Sequence, residues 1–106
     1  SIAFGTGAGT GPANDLCVGS NNGFQLIFTT GTTPTNNASV FTATIGKSFP
    51  NGCTAVFSPG TDGTRAVIGG FWVSGTGNNS VTISYNNTGA LAASTQYSIL
   101  VVLIGY

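Results

Sequence analysis

Few of the 106 residues carry groups that can do chemistry: Asp15, Asp62, Lys47, Arg65, Cys17 and Cys53, with no histidine and a net charge of zero. General acid–base catalysis recruits His, Glu or Asp, and two aspartates with turn-like surroundings make a poor pair. A glycosidase needs two carboxyl groups about 5–10 Å apart, and only Asp15 and Asp62 are available. Zinc, copper and iron sites draw on clusters of His and Cys, which two cysteines cannot supply. No carboxylate-rich calcium loop is present either. Two cations cannot neutralise a row of phosphates, so no nucleic-acid partner is expected. The composition therefore predicts a chain without catalytic, metal or cofactor-binding residues, and not an enzyme.

Two glycine-containing stretches imitate nucleotide sites and fail on spacing. "GTGAGTGP", residues 5–12, lacks the third glycine of a dinucleotide fingerprint, because Thr10 or Pro12 stands at the sixth place and no helix follows. "GKS" at Gly46–Ser48 would need a glycine where Phe41 stands. Pro50 also blocks the helix that must receive the phosphates. Residues 1–12 read instead as a flexible, glycine-rich lead-in, followed by a single domain over 13–106.

Three side chains remain as candidate ligand contacts. Trp72 offers a ring on which the apolar face of a sugar could stack, or it covers a sheet face while Phe71 enters the core. Asp62 and Arg65 flank Gly63 and read as a local ion pair rather than a catalytic couple. Cys17 and Cys53 form either a disulfide or two buried thiols. A bridge would restrain the unfolded chain by about 3–4 kcal/mol.

The elements that must position these residues are strands. Glycine, threonine, asparagine and β-branched residues dominate, and none of them favours helix. Strand-like runs fall at 16–19, 24–30, 39–46, 54–58, 65–74, 80–85 and 96–104, separated by turn signals. Asn22-Gly23, Asn51-Gly52 and Asp62-Gly63 suit tight reversals. Alternation sets Phe24, Leu26 and Phe28 on one face of their strand. It does the same for Phe41, Ala43 and Ile45, and for Val81, Ile83 and Tyr85, with Val40, Thr42 and Thr44 facing the other way. This spacing predicts an all-β fold, an antiparallel sandwich or jelly roll of about seven or eight strands with negligible helix.

"YSILVVLIGY" is apolar on both faces. Tyr97, Ile99, Val101 and Leu103 fill one side, and Leu100, Val102 and Ile104 the other. A strand of this kind is central in the fold or lies at a subunit interface, for which Leu100, Val102 and Ile104 are the candidates. The longest apolar run is too short for a membrane helix, which needs about 20 residues, so no membrane partner is expected. The near absence of charge suits a protein fixed in a larger assembly. The sequence opens on Ser1 rather than Met, which reads as a processed terminus or a fragment boundary.

One order of segments is distinctive: "GAGTGP", a short strand, "TTGTTPTNN", "VFTATIGKSFP", "TAVFSP", a late hairpin, "TGALAAST" and a final apolar strand. It resembles small β domains near the C-termini of tailed-bacteriophage virion proteins, both tail fibres and capsid decorations, over nearly the whole chain. The resemblance implies a β-sandwich on the virion surface, commonly a trimer, bound to other virion proteins. In a fibre it also implies contact with a host-surface glycan. It supports pairing of Cys17 with Cys53 and brings no catalytic residue. The alternative is a bacterial extracellular carbohydrate-binding or adhesin module.

Overall fold

Period-two alternation places the core. Phe24, Leu26, Phe28, Phe41, Ala43, Val81, Ile83 and Tyr85 are all buried, as are Tyr97, Ile99, Val101 and Leu103. The computed structural model describes residues 1–20 and 22–106. Eight strands run in chain order: β1 (Ile2–Phe4), β2 (Ala13–Ser20), β3 (Gly23–Thr29), β4 (Ala38–Thr44), β5 (Cys53–Pro59), β6 (Phe71–Thr76), β7 (Ser80–Tyr85) and β8 (Gln96–Gly105). They form two four-stranded sheets, ordered β1-β4-β7-β6 and β2-β3-β8-β5. Every pairing within them is antiparallel. The fold is a small all-β sandwich with 10% helix.

Aromatic side chains join the two layers. Phe28 of the second sheet lies 5.8 Å from Phe4 and 6.3 Å from Phe41 of the first, centroid to centroid, and 5.8 Å from Tyr97 on its own sheet. Phe71 packs edge-on against Tyr85 at 4.9 Å. No buried side-chain nitrogen or oxygen among the described residues lacks a hydrogen-bond partner. That is the condition under which buried polar groups such as Thr64 and Ser98 cost little.

Residues 1–12 are not a flexible lead-in. Ile2–Phe4 pair with β4, Thr6–Ala8 form a 3-10 turn with Ala8 buried, and Thr10 bridges Thr32 through two backbone hydrogen bonds of 2.8 and 3.0 Å. The glycines serve close approach, not mobility. A Cβ on Gly5 would collide with the backbone of Ser39, and Gly9 has a φ of 84°, which side chains resist. "GTGAGTGP" is thus a strap held against β4 and the Gly31–Thr32 segment.

Two further expectations shift. Val40 does not face outward with Thr42, because a bulge between Ser39 and Phe41 buries both Val40 and Phe41. Residues 65–70 are not strand. Asp62–Arg65 form a single helical turn, α1, whose N-cap Thr61 accepts a hydrogen bond from the Thr64 N–H at 3.3 Å, and Ile68–Gly70 form a 3-10 turn. Asp62 in the first turn and Arg65 in the last complement the turn's dipole.

Candidate interaction face

β8 lies at the centre of the second sheet, between β3 and β5, so its two faces have different fates. The inward row is sealed in the core. The outward row begins with Gln96 and the buried Ser98, then presents Leu100, Val102 and Ile104 to solvent. Register shows what lies beside them: Val102 opposes Val56 on β5 and Gly23 on β3, and Leu100 opposes Ser58 and Gln25. Val18 on β2 opposes Gln25, and Leu16 opposes Ile27. Directly opposed residues of an antiparallel pair share a face. Leu16, Val18, Val56, Leu100, Val102 and Ile104 therefore form one outer surface, each between 40% and 52% exposed.

Among the described residues these are six of the eight large hydrophobic side chains left exposed; the other two are Trp72 and Tyr106. Single exposed apolar residues are ordinary, whereas a contiguous group on one face is a candidate interaction surface. The three expected contacts on β8 are thus joined by Leu16, Val18 and Val56. Alternation along one strand shows that it has two faces. Which strands lie beside it depends on the order β2-β3-β8-β5, which no local pattern encodes.

The polar end of the same surface is tied down by hydrogen bonds. Asp15 sits at a β-bulge in β2, where its carboxylate accepts from the Thr29 hydroxyl at 2.5 Å and the Gln96 amide at 3.1 Å. Those two hydrogen bonds, Thr29 first, hold the Asp15 carboxyl below its ordinary value of 3.8. At the other edge, Thr64 of α1 accepts from the Ser98 N–H at 2.8 Å, and Gly60 N donates to the Ser98 carbonyl at 2.8 Å. Gln25 donates to the Ser98 hydroxyl at 3.2 Å. Ser98 is closed off by this arrangement, and the aliphatic part begins at Leu100.

The other candidates do not converge. Arg65 and Asp62 pair with each other at 3.3 Å and are both exposed, an arrangement worth little. Trp72 lies on β6 of the first sheet and is 48% exposed, opposite Ser84, whose hydroxyl is 2.6 Å from that of Ser74. Asp15 and the Asp62 turn attach to opposite edge strands of the second sheet, separated by three strand spacings, or about 14 Å. That exceeds the reach of a carboxylate pair. Among the described residues no three His, Cys, Asp or Glu side chains gather. Nor, among these residues, is any helix long and apolar enough to cross a membrane.

The cysteine pairing is corrected by the same topology. Cys17 is on β2 and Cys53 on β5, the two edges of one sheet, whereas a disulfide needs Cα atoms within about 7 Å. Both thiols are free. Cys53 is buried and donates to the Gly77 carbonyl at 3.3 Å. Cys17 is exposed and borders a cleft of about 230 Å³ with Ile2, Phe24, Thr44 and Ile45. The chain matches no protein-family model, no curated protein and no solved structure.

Proposed function

We propose that this chain is a structural domain displayed on the surface of a bacteriophage particle, as a capsid decoration or a tail-fibre module. It acts by binding other surfaces and not by turning over a substrate. The observation that carries the reading is the segregation of exposed aliphatics onto one sheet face of a domain with only four charged side chains. A chain with so little charge repels other proteins weakly, and an apolar face gives it something to hold. Its partners are further virion proteins and further copies of itself. The sandwich supplies a rigid frame on which polar loops can vary.

Antibodies raised against the 106-residue domain are expected to decorate the exterior of intact particles from the source lysate in electron micrographs. Recovery of the domain only in particle-free fractions would sink this reading. A second reading, an extracellular carbohydrate-binding or adhesin module, is favoured by one feature: the half-exposed Trp72 among the Ser74 and Ser84 hydroxyls. A ring beside hydroxyl groups suits the apolar face and rim of a sugar.

A further inference from the structure

We infer that the outer face of the β2-β3-β8-β5 sheet pairs with the same face of a second copy of this chain, about a two-fold axis. This goes beyond the particle assignment and does not depend on it.

Area is the first argument. At their observed exposures, the six aliphatic side chains present roughly 500 Å² per copy, before the polar rim of Gln25, Thr54 and Ser58 is counted. The domain measures 37 × 23 × 23 Å, so a broad side can accommodate the roughly 800 Å² per partner of a standard interface. The six aliphatics by themselves supply more than half of that area.

Charge is the second. Among the described residues the aliphatic part of the face holds no charged side chain: Asp15 stands at one corner, where Thr29 and Gln96 already occupy it, and the Asp62–Arg65 pair lies at the opposite edge. Copy on copy, the centre desolvates no charge and sets no like charges together. A basic or acidic partner would find nothing on the aliphatic part to pair with.

Shape is the third. Gly23 lies beside Val102 in register and has no side chain, which leaves a shallow depression bordered by Val18, Gln25, Leu100 and Val102. A hollow and aliphatic knobs on one face are what self-complementary packing requires. A two-fold contact uses the same patch on both copies, whereas a ring of three needs two different patches on each. The exposed aliphatics make one patch.

The test is the mass of the intact chain in solution by light scattering, from about 5 to 200 µM, the range in which weak pairs form. A dimer of about 21 kDa is expected, twice the 10.6 kDa chain. Val102→Asp and Val56→Lys, at two exposed positions on different strands, should each weaken pairing by about a hundredfold or more with circular dichroism unchanged. Thr44→Asp, on the first sheet, should leave the dimer intact. A monomer throughout, a trimer, or a dimer indifferent to both face variants would each overturn the inference. Loss of pairing in Thr44→Asp alone would place the contact on the other sheet and overturn it too.

Discussion

The sandwich has two outer faces, and they are built by the same alternation from opposite chemistry. On the first sheet the outward positions are Thr42 and Thr44 on β4 and Ser80, Thr82 and Ser84 on β7. The Thr42 and Thr82 hydroxyls meet at 2.9 Å. On the second sheet Leu16, Val18, Val56, Leu100, Val102 and Ile104 stand outward, rimmed by Gln25, Thr54 and Ser58. Threonine is β-branched and fits a pleated strand as well as valine does, and the first sheet demonstrates this. Strand formation therefore does not account for Val56, Val102 and Ile104. The copy-on-copy contact proposed above would account for the difference between the faces.

The largest expected effect removes the layer that holds the two faces apart. Phe28→Ala takes away the ring that touches Phe4, Phe41 and Tyr97, and should cost about 3–5 kcal/mol in denaturant unfolding. A loss below 1 kcal/mol would show that this ring does not hold the sheets together.

Trp72→Ala probes the polar face by itself. Half-exposed at a sheet edge, it should cost only about 1–2 kcal/mol of stability and leave any self-association as it was. If the Ser/Thr face is a sugar platform, the same change abolishes retention on a glycan array. Retention that survives the substitution removes Trp72 from that role.

The smallest effect concerns the corner of the aliphatic face. The Asp15 carboxyl is lowered in the folded chain, so its contribution to stability is present above about pH 3.8, its ordinary value. That contribution is lost as pH falls through the lower folded value. Asp15→Asn should therefore flatten the acid limb of the stability curve and leave pH 7 nearly unchanged in slope. An identical acid limb in both proteins would remove Asp15 from the acid response.

Alternation made most of the core legible, because it is written in single strands: 24–28, 81–85 and 97–103 could be read residue by residue. β1 was not legible, since Ile2–Phe4 is too short to show a period and is followed by glycines that resemble a linker. The α1 turn left a signal in Thr61, Asp62 and Arg65, an N-cap with charges matched to the dipole, but Asp62-Gly63 also reads as a tight reversal and Arg65 as the start of a strand run. The cysteine pairing failed because spacing along the chain says nothing about which edge of a sheet a strand occupies. The aliphatic face was half visible for the same reason. Leu100, Val102 and Ile104 declare themselves in one strand, whereas Leu16, Val18 and Val56 join them only through strand order.

The central place of β8 also sets a timetable. β3 ends at Thr29 and β5 at Pro59, yet both hydrogen-bond to a strand that runs from Gln96 to Gly105. Synthesis proceeds at about 5–20 residues per second, so the β2–β3 hairpin waits roughly 4–15 s for its partner. Over that interval β3 has a free edge and Leu26 and Phe28 lack their cover. The first sheet can close before then, because β1, β4, β6 and β7 are all complete by Tyr85. A chain truncated after residue 90 should hold one formed sheet and one open hairpin, and the step that commits the domain is the arrival of β8.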